Sequence, residues 1–343
     1  MTVLSARPAL RRTSSSRRFI ALALAGVALV VAVVASVALG ARPVPLEHVW
    51  AALTDYDGSP DAVAVRDLRL PRTLLGVFVG AALGVAGCLM QALTRNPLAE
   101  PGVLGVNAGA AAAIVSAMSF LGVTAPAGYV WFALAGAGGA FTLVYLLGGG
   151  GRIKESPARL AVAGTAVGAA LTGFTSAVVL FDSTAFDQFR FWAVGALADR
   201  GMPVFWQVAP FLACGLLLAA SIGPALNTLA LGDDQSRSLG SNPLLVRGTA
   251  ALAAVALSAG ATAAAGPIAF VGLAVPHAAR FIVGADERWL MAFSALAAPS
   301  LLLIADVTGR VLGRPGELET GVVTAMVGAP LFIYLVRRLR VRK

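Results

Sequence analysis

Leu74 to Leu93 reads LLGVFVGAALGVAGCLMQAL, a run without a single charge, bounded by Arg72 on one side and Arg95 on the other. The hydrocarbon core of a bilayer takes about 20 apolar residues of helix, with roughly 17 to 25 the usual range, so this run predicts a membrane-spanning helix. Outward from it, nine further stretches have the same character: Phe19 to Leu39, Val103 to Leu121, Val130 to Leu147, Leu160 to Phe181, Val204 to Ile222, Gly248 to Ala265, Pro267 to Val283, Trp289 to Ala305 and Thr320 to Val336. The 343-residue chain is 58% hydrophobic and 13% charged, with a mean hydropathy of +0.83, whereas soluble domains carry about 25% charged residues. The expectation is an all-α polytopic membrane domain over residues 19–337 with about ten transmembrane helices, set between a basic N-terminal tail (1–18) and a basic C-terminal tail (338–343).

Ten spans place both termini on one side, together with the loops near Arg95, Arg159, Arg237 and Arg288. That side collects 18 of the 26 Lys and Arg residues, and the positive-inside rule makes it cytoplasmic. The net charge of +9 is thereby a topology signal; no basic, aromatic-interleaved patch points to nucleic acid, and lipid is the expected surface partner. Arg11, Arg12, Arg17 and Arg18 precede an apolar run as in a secretory signal. A signal h-region is about 7 to 15 residues, and this run is longer, so it reads as a retained first helix.

Absences narrow the chemistry. The lysines are Lys154 and Lys343, neither preceded by glycine, so no Walker A sequence exists and any ATP would be bound by another chain. His48 and His277 are too far apart for zinc-ligand spacing, and no G-x-S-x-G elbow is present. Cys88 and Cys214 read as small buried apolar residues inside spans. The sequence therefore offers no catalytic set and no metal site.

Glycines at four-residue intervals, Gly76, Gly80 and Gly84 in the second span and Gly164 and Gly168 in the fifth, let helix backbones approach closely, or line a path. Gly148 to Gly151 read as a loop. Four segments ask for more than packing. Arg69 and Arg72, with Arg66 near, stand on the outer face, where they either snorkel to headgroups or present a fork to a partner's carboxylates. Pro97 and Pro101 make a stiff cytoplasmic elbow, with Asn96 and Glu100 as caps or as groups at a pathway mouth. Pro224 to Gly248 is too polar to span, yet carries Leu226, Leu229, Leu231 and Leu239. It reads as two short helices joined at Gly232, with Asp233 at the second N-terminus; its leucines pack on the protein's own inner face or on a soluble partner. His277, with Pro276 and Arg280, lies within an apolar run, as an interhelical hydrogen bond or a functional group. Asp306 and Arg310 have the spacing of a helical ion pair.

Four stretches resemble successive motifs of the FecCD family of ABC-importer permeases: Arg69 to Ala110, ALGDDQSRSLG, GPIAFVGLAVPHAARFIVG and LIADVTGRVLGRPGELETGVVTAMVGAP. The resemblance implies a cobalamin-permease-like fold with ten helices per subunit, two permeases (homodimer or heterodimer) around a pathway, two ABC ATPases that hold ATP and Mg, and an external substrate-binding protein. This chain would bind no cofactor and perform no covalent chemistry, and would reside in the bacterial inner membrane. By resemblance, binding-protein docking falls on Arg69 and Arg72 with Arg310, and the cytoplasmic gate on Asn96 and Leu98. ATPase coupling falls on residues 224–244, centred on Leu231, Gly232, Ser236, Arg237, Leu239 and Gly240.

The wording LGVNAGA, FDQFRFWAVGAL and RPGEL resembles ferric-enterobactin-type permeases, which implies a ferric siderophore as cargo; cobalamin or haem is the alternative. A secondary transporter would need intramembrane ionisable residues, and the spans offer His277, Arg280 and Asp306. Two departures from the family pattern are Glu319-Thr320 before Gly321 and Glu287 between Asp286 and Arg288.

Overall fold

The computed structural model describes residues 15–41, 43–148 and 157–340. The expected tail before residue 15, most of the Gly148 to Gly151 loop and the last three residues lie outside the described residues. The described elements are helical: α1 (Ser15–Ala38), α2 (Leu46–Thr54), α3 (Pro60–Val63), α4 (Leu70–Thr94), α5 (Val106–Leu121), α6 (Pro126–Leu147), α7 (Pro157–Phe181), α8 (Ser183–Ala193), α9 (Gly201–Leu229), α10 (Asp233–Ser238), α11 (Pro243–Ala265), α12 (Val271–Val283), α13 (Glu287–Leu312) and α14 (Thr320–Arg340). Among them α1, α4, α6, α7, α9, α11 and α13 are long and apolar enough to cross a membrane. The apolar α5, α12 and the Thr320–Tyr334 part of α14 are shorter and bring the spans to ten.

The stretch that opens the sequence reading is the core of the bundle. A helix apolar on every side has no solvent face and is buried, and α4 packs against α9, α11, α12 and α13. Its glycines explain the fit to α13. A Cβ at Gly84 would stand 2.6 Å from the Ala298 Cβ and 2.7 Å from the Ser294 carbonyl oxygen, and one at Gly76 would stand 2.6 Å from Leu303 Cδ2. Close backbone approach supplies the dispersion contact that replaces a hydrophobic drive in lipid. In α7 the glycine at 168 meets open space.

The two least covered helices differ in kind. α1 exposes Phe19, Ile20, Leu24, Val27, Val30, Val31 and Val34, bulky groups suited to acyl chains. α7 exposes the small or hydroxyl-bearing Thr165, Ala166, Ala169, Thr172, Gly173, Ser176 and Ala177 along its middle, with Phe174 among them and the larger Val162, Leu180 and Phe181 toward its ends.

Four expectations are corrected. The first helix starts at Ser15, ahead of Phe19, so Arg17 and Arg18 belong to it. The eighth begins at Val271 because Gly266 (φ 75°) and Phe270 (φ 67°) are left-handed, and the segment between α11 and α12 is irregular backbone; such backbone is tolerated at membrane depth where protein covers it. The sixth helix continues through Pro224 to Leu229, so α10 is the one separate helix in the Pro224 to Gly248 segment, where two are expected. Cys214 is exposed, while Cys88 is buried with its thiol 3.3 Å from Ser294 Oγ.

The connection from α1 to α4 carries no expectation from the sequence. It folds as α2, α3 and a π-helical turn over Ala64–Arg69, around a small core of Val37, Val44, Val49, Ala52, Ala62 and Val65. Ser59 caps α3 by accepting from the Ala62 amide at 3.2 Å.

Candidate functional site

Two polar clusters sit at the two ends of the bundle. The first lies where α1 and α13 end and α4 and α14 begin. Asp306 is fully buried, and an isolated carboxylate there would be prohibitively costly. Arg72 forks onto it, donating from Nε at 3.1 Å and Nη2 at 2.8 Å. Arg310 forms an ion pair with its other oxygen at 3.0 Å, at the helical spacing expected from the sequence, and the Thr320 hydroxyl donates at 2.7 Å.

The last carbonyls of α1, which have no partner within the helix, take further donors. Arg310 donates to the Ser36 carbonyl at 3.0 Å, and Arg69 donates to those of Val37 and Ala38 at 3.0 and 2.7 Å. Arg72 Nη1 donates to Glu317 at 2.7 Å. Arg69, Arg72, Arg310, Glu317 and Glu319 line a cleft of about 490 Å³, and burial pushes the Glu319 carboxyl above its usual range.

Arg69, Arg72 and Arg310 are all engaged within the chain. Arg69 and Arg310 are buried, and the fork of Arg72 is already filled by this chain's own carboxylates. The Thr320 departure from the family pattern has a physical role here, since its hydroxyl satisfies Asp306 and an aliphatic side chain would not.

The second cluster lies at the other end, where α1 starts, α4 and α9 end, and α11 and α13 begin. The elbow after α4 opens with Arg95 in a left-handed conformation, φ 49°. Asn96 Oδ1 accepts from the Leu98 amide at 3.0 Å, closing a turn of the elbow, and Glu100 precedes a 3-10 turn over Pro101–Leu104 without a side-chain cap bond, so neither residue caps a helix. Burial pushes the Glu100 carboxyl up, against an opposing hydrogen bond from the Phe270 backbone. Leu98 is exposed.

Past the elbow, Leu231 and Leu239, which flank α10 on either side, stand at 58% and 62% exposure, whereas Leu226 and Leu229 are buried. Gly232 and Gly240 have φ of 112° and 81°, which lets the short helix turn in and out. Ser236 is buried, with its hydroxyl 3.2 Å from Thr228 Oγ1, and Arg237 pairs loosely with Asp234 at 3.5 Å.

The remaining intramembrane candidates separate. Arg280 pairs with Glu287 at 3.1 Å and donates to Gln91 Oε1 at 3.4 Å. Glu287, the other departure from the family pattern, is thus a buried counter-ion joining α12 to α13. His277 is buried between Phe281 and Phe332, and neither ring nitrogen has a hydrogen-bond partner among the described residues, so the interhelical bond, one of its two readings, is not formed there. Arg18 donates to the Val283 carbonyl at 3.0 Å and lies over Trp289.

Sequence reasoning missed Ser36, Glu317, Asn227 and Arg247, and read Asp233 only as a helix N-terminus, without its arginine partners. Arg72 and Asp306 are 234 positions apart, and no local pattern pairs residues at that distance.

A ten-span helical bundle built on a buried glycine-rich helix, with polar clusters confined to its ends, defines a polytopic membrane protein of the transporter class. The model of the FecCD transport family matches residues 28–338, and the chain belongs to that family. It is 45% identical over 311 residues to the ferric enterobactin transport system permease protein FepD of Escherichia coli, covering 90% of this chain and 92% of that protein. It is 39% identical to a siderophore transport system permease protein, YfiZ, of Bacillus subtilis, covering 90% and 93%. A solved metal-chelate type ABC transporter in an inward-facing conformation superposes with a TM-score of 0.81 at 25% identity, covering 92% of this chain and 98% of that one.

Proposed function

We propose that this chain is the permease subunit of an ABC importer that carries a ferric siderophore across the bacterial inner membrane, with both termini cytoplasmic. The observation that carries this reading is the near full-length likeness to a ferric enterobactin permease. ATP and Mg are held by two separate ATPase subunits, and a second permease copy or paralogue completes the conduit. The small, hydroxyl-bearing face of α7 supports a role against that second subunit, because a face of Thr, Ser, Ala and Gly gains little from acyl chains and packs or hydrates well.

Alternating access then requires ATP-driven movement of the subunits to shift the population between outward and inward states. The exposed Leu231 and Leu239 suit an ATPase groove, and the Asn96–Leu98 elbow beside them suits the inner gate. At the outer end a binding protein's carboxylate entering the cleft would meet Arg69, Arg72 and Arg310, and would compete with Glu317 for Arg72 Nη1. The test is to purify the tagged chain with its co-expressed partners and determine the mass of the assembly. Two permeases with two ATPases are expected; a chain that never recruits an ATPase would overturn the reading.

A further inference from the structure

We infer that Asp233 ties the coupling segment to the inner gate, with Arg95 as the positioning residue that makes the elbow follow α10. This rests on the importer reading above. Arg95 is the first residue of the elbow, and its Nη2 reaches both the Leu229 carbonyl at 3.1 Å and Asp233 Oδ1 at 3.5 Å. Those two groups flank the three-residue hinge between α9 and α10, so the guanidinium sits across the joint about which α10 would swing. The same Asp233 oxygen accepts from Arg247, in the first turns of α11, at 2.7 Å. One carboxylate therefore anchors α10 to α11 on one side and reaches the end of α4 on the other.

A second route joins the same two places. Asn227, in the last turn of α9, accepts from the Glu287 amide at 2.9 Å. Glu287 holds Arg280, and Arg280 reaches Gln91, which lies four residues before Arg95 on one face of α4. Both polar routes run from the coupling hinge to the final turn of the helix that leads into the Asn96–Leu98 elbow. α10 packs chiefly on α9 and α11, so polar links carry its connection to α4. Half-exposed pairs of this kind contribute little to stability; their use is in transmitting movement between elements that do not otherwise interlock.

The experiment uses the full transporter, with its ATPases and binding protein, in proteoliposomes, comparing Arg95→Gln and Arg95→Lys. Spin labels go on Leu98→Cys and Ser238→Cys in a background where Cys88 and Cys214 are alanine. In the wild type and in Arg95→Lys, the distance between labels stays constant when nucleotide is added, because elbow and α10 move together. In Arg95→Gln it shifts beyond the wild-type distribution, and uptake of ferric enterobactin per ATP hydrolysed falls about tenfold, equivalent to roughly 1.4 kcal/mol of lost coupling, with membrane insertion and ATPase co-purification retained. An Arg95→Gln distance that tracks the wild type, or an Arg95→Lys variant as loose as Arg95→Gln, would overturn the tie. Failure of the importer reading shows separately, as wild-type ATP hydrolysis that ignores the binding protein.

Discussion

At the end of the bundle proposed to face outward nearly every charged group is satisfied by the chain itself, while at the proposed inner end two leucines stand uncovered on either side of a short helix. Asp306, Arg310 and Arg69 are buried and stitch α1, α4, α13 and α14 together. Leu231 and Leu239 touch little of their own subunit. The contrast separates architecture from interface: charge marks the rigid end, and exposed apolar surface marks the end that awaits a partner.

The sharpest way to break this comparison is at Asp306. Asp306→Ala leaves Arg72 and Arg310 buried without their shared counter-ion, and removing one partner of a buried pair costs about 3–5 kcal/mol. We expect the variant to accumulate poorly and to unfold at markedly lower temperature in detergent. Wild-type thermal stability would mean that the outer cluster is hydrated and not architectural.

At the inner end the effect falls on assembly instead. Leu239→Glu places a charge where an apolar groove is expected, and central interface residues cost about 2 kcal/mol or more when disrupted. The variant should insert and melt like the wild type yet lose ATPase on co-purification. Retained ATPase together with normal uptake would return α10 to the status of an ordinary loop.

The smallest effect sharpens the docking proposal. Reversing Arg72 is a poor probe, because it strands Asp306. Glu317→Gln removes the internal carboxylate from Arg72 Nη1 without disturbing Asp306, and should tighten binding-protein affinity by about threefold at low salt, a modest gain for a charge near the rim. Weaker or unchanged affinity, measured in nanodiscs, would show that Glu317 does not compete with the docking carboxylate.

How far this was legible beforehand differs between the same two ends. Apolar run length locates the seven helices long enough to cross a bilayer, because the bilayer sets their length, and points to the three shorter apolar helices with less exact bounds; the four-residue glycine series announces a close helix contact, which α13 fills. The Asp306–Arg310 pair is likewise local in sequence. Arg72 on Asp306 and Arg95 on Asp233 are not, since each joins helices distant in the chain. The outer hairpin of α2 and α3 was missed because short amphipathic helices at an interface lack both span length and strong period. The continuation of α9 through Pro224 was hidden by a proline that signals a break in water but is accommodated in a membrane bundle.

The account stands most directly on energy coupling. Proteoliposomes holding this chain, its ATPases and its partner permease, with binding protein and ferric enterobactin on one face and ATP on the face of the chain termini, should accumulate iron only when ATP and binding protein are both present. Uptake that follows an imposed proton or sodium gradient and ignores ATP would contradict it.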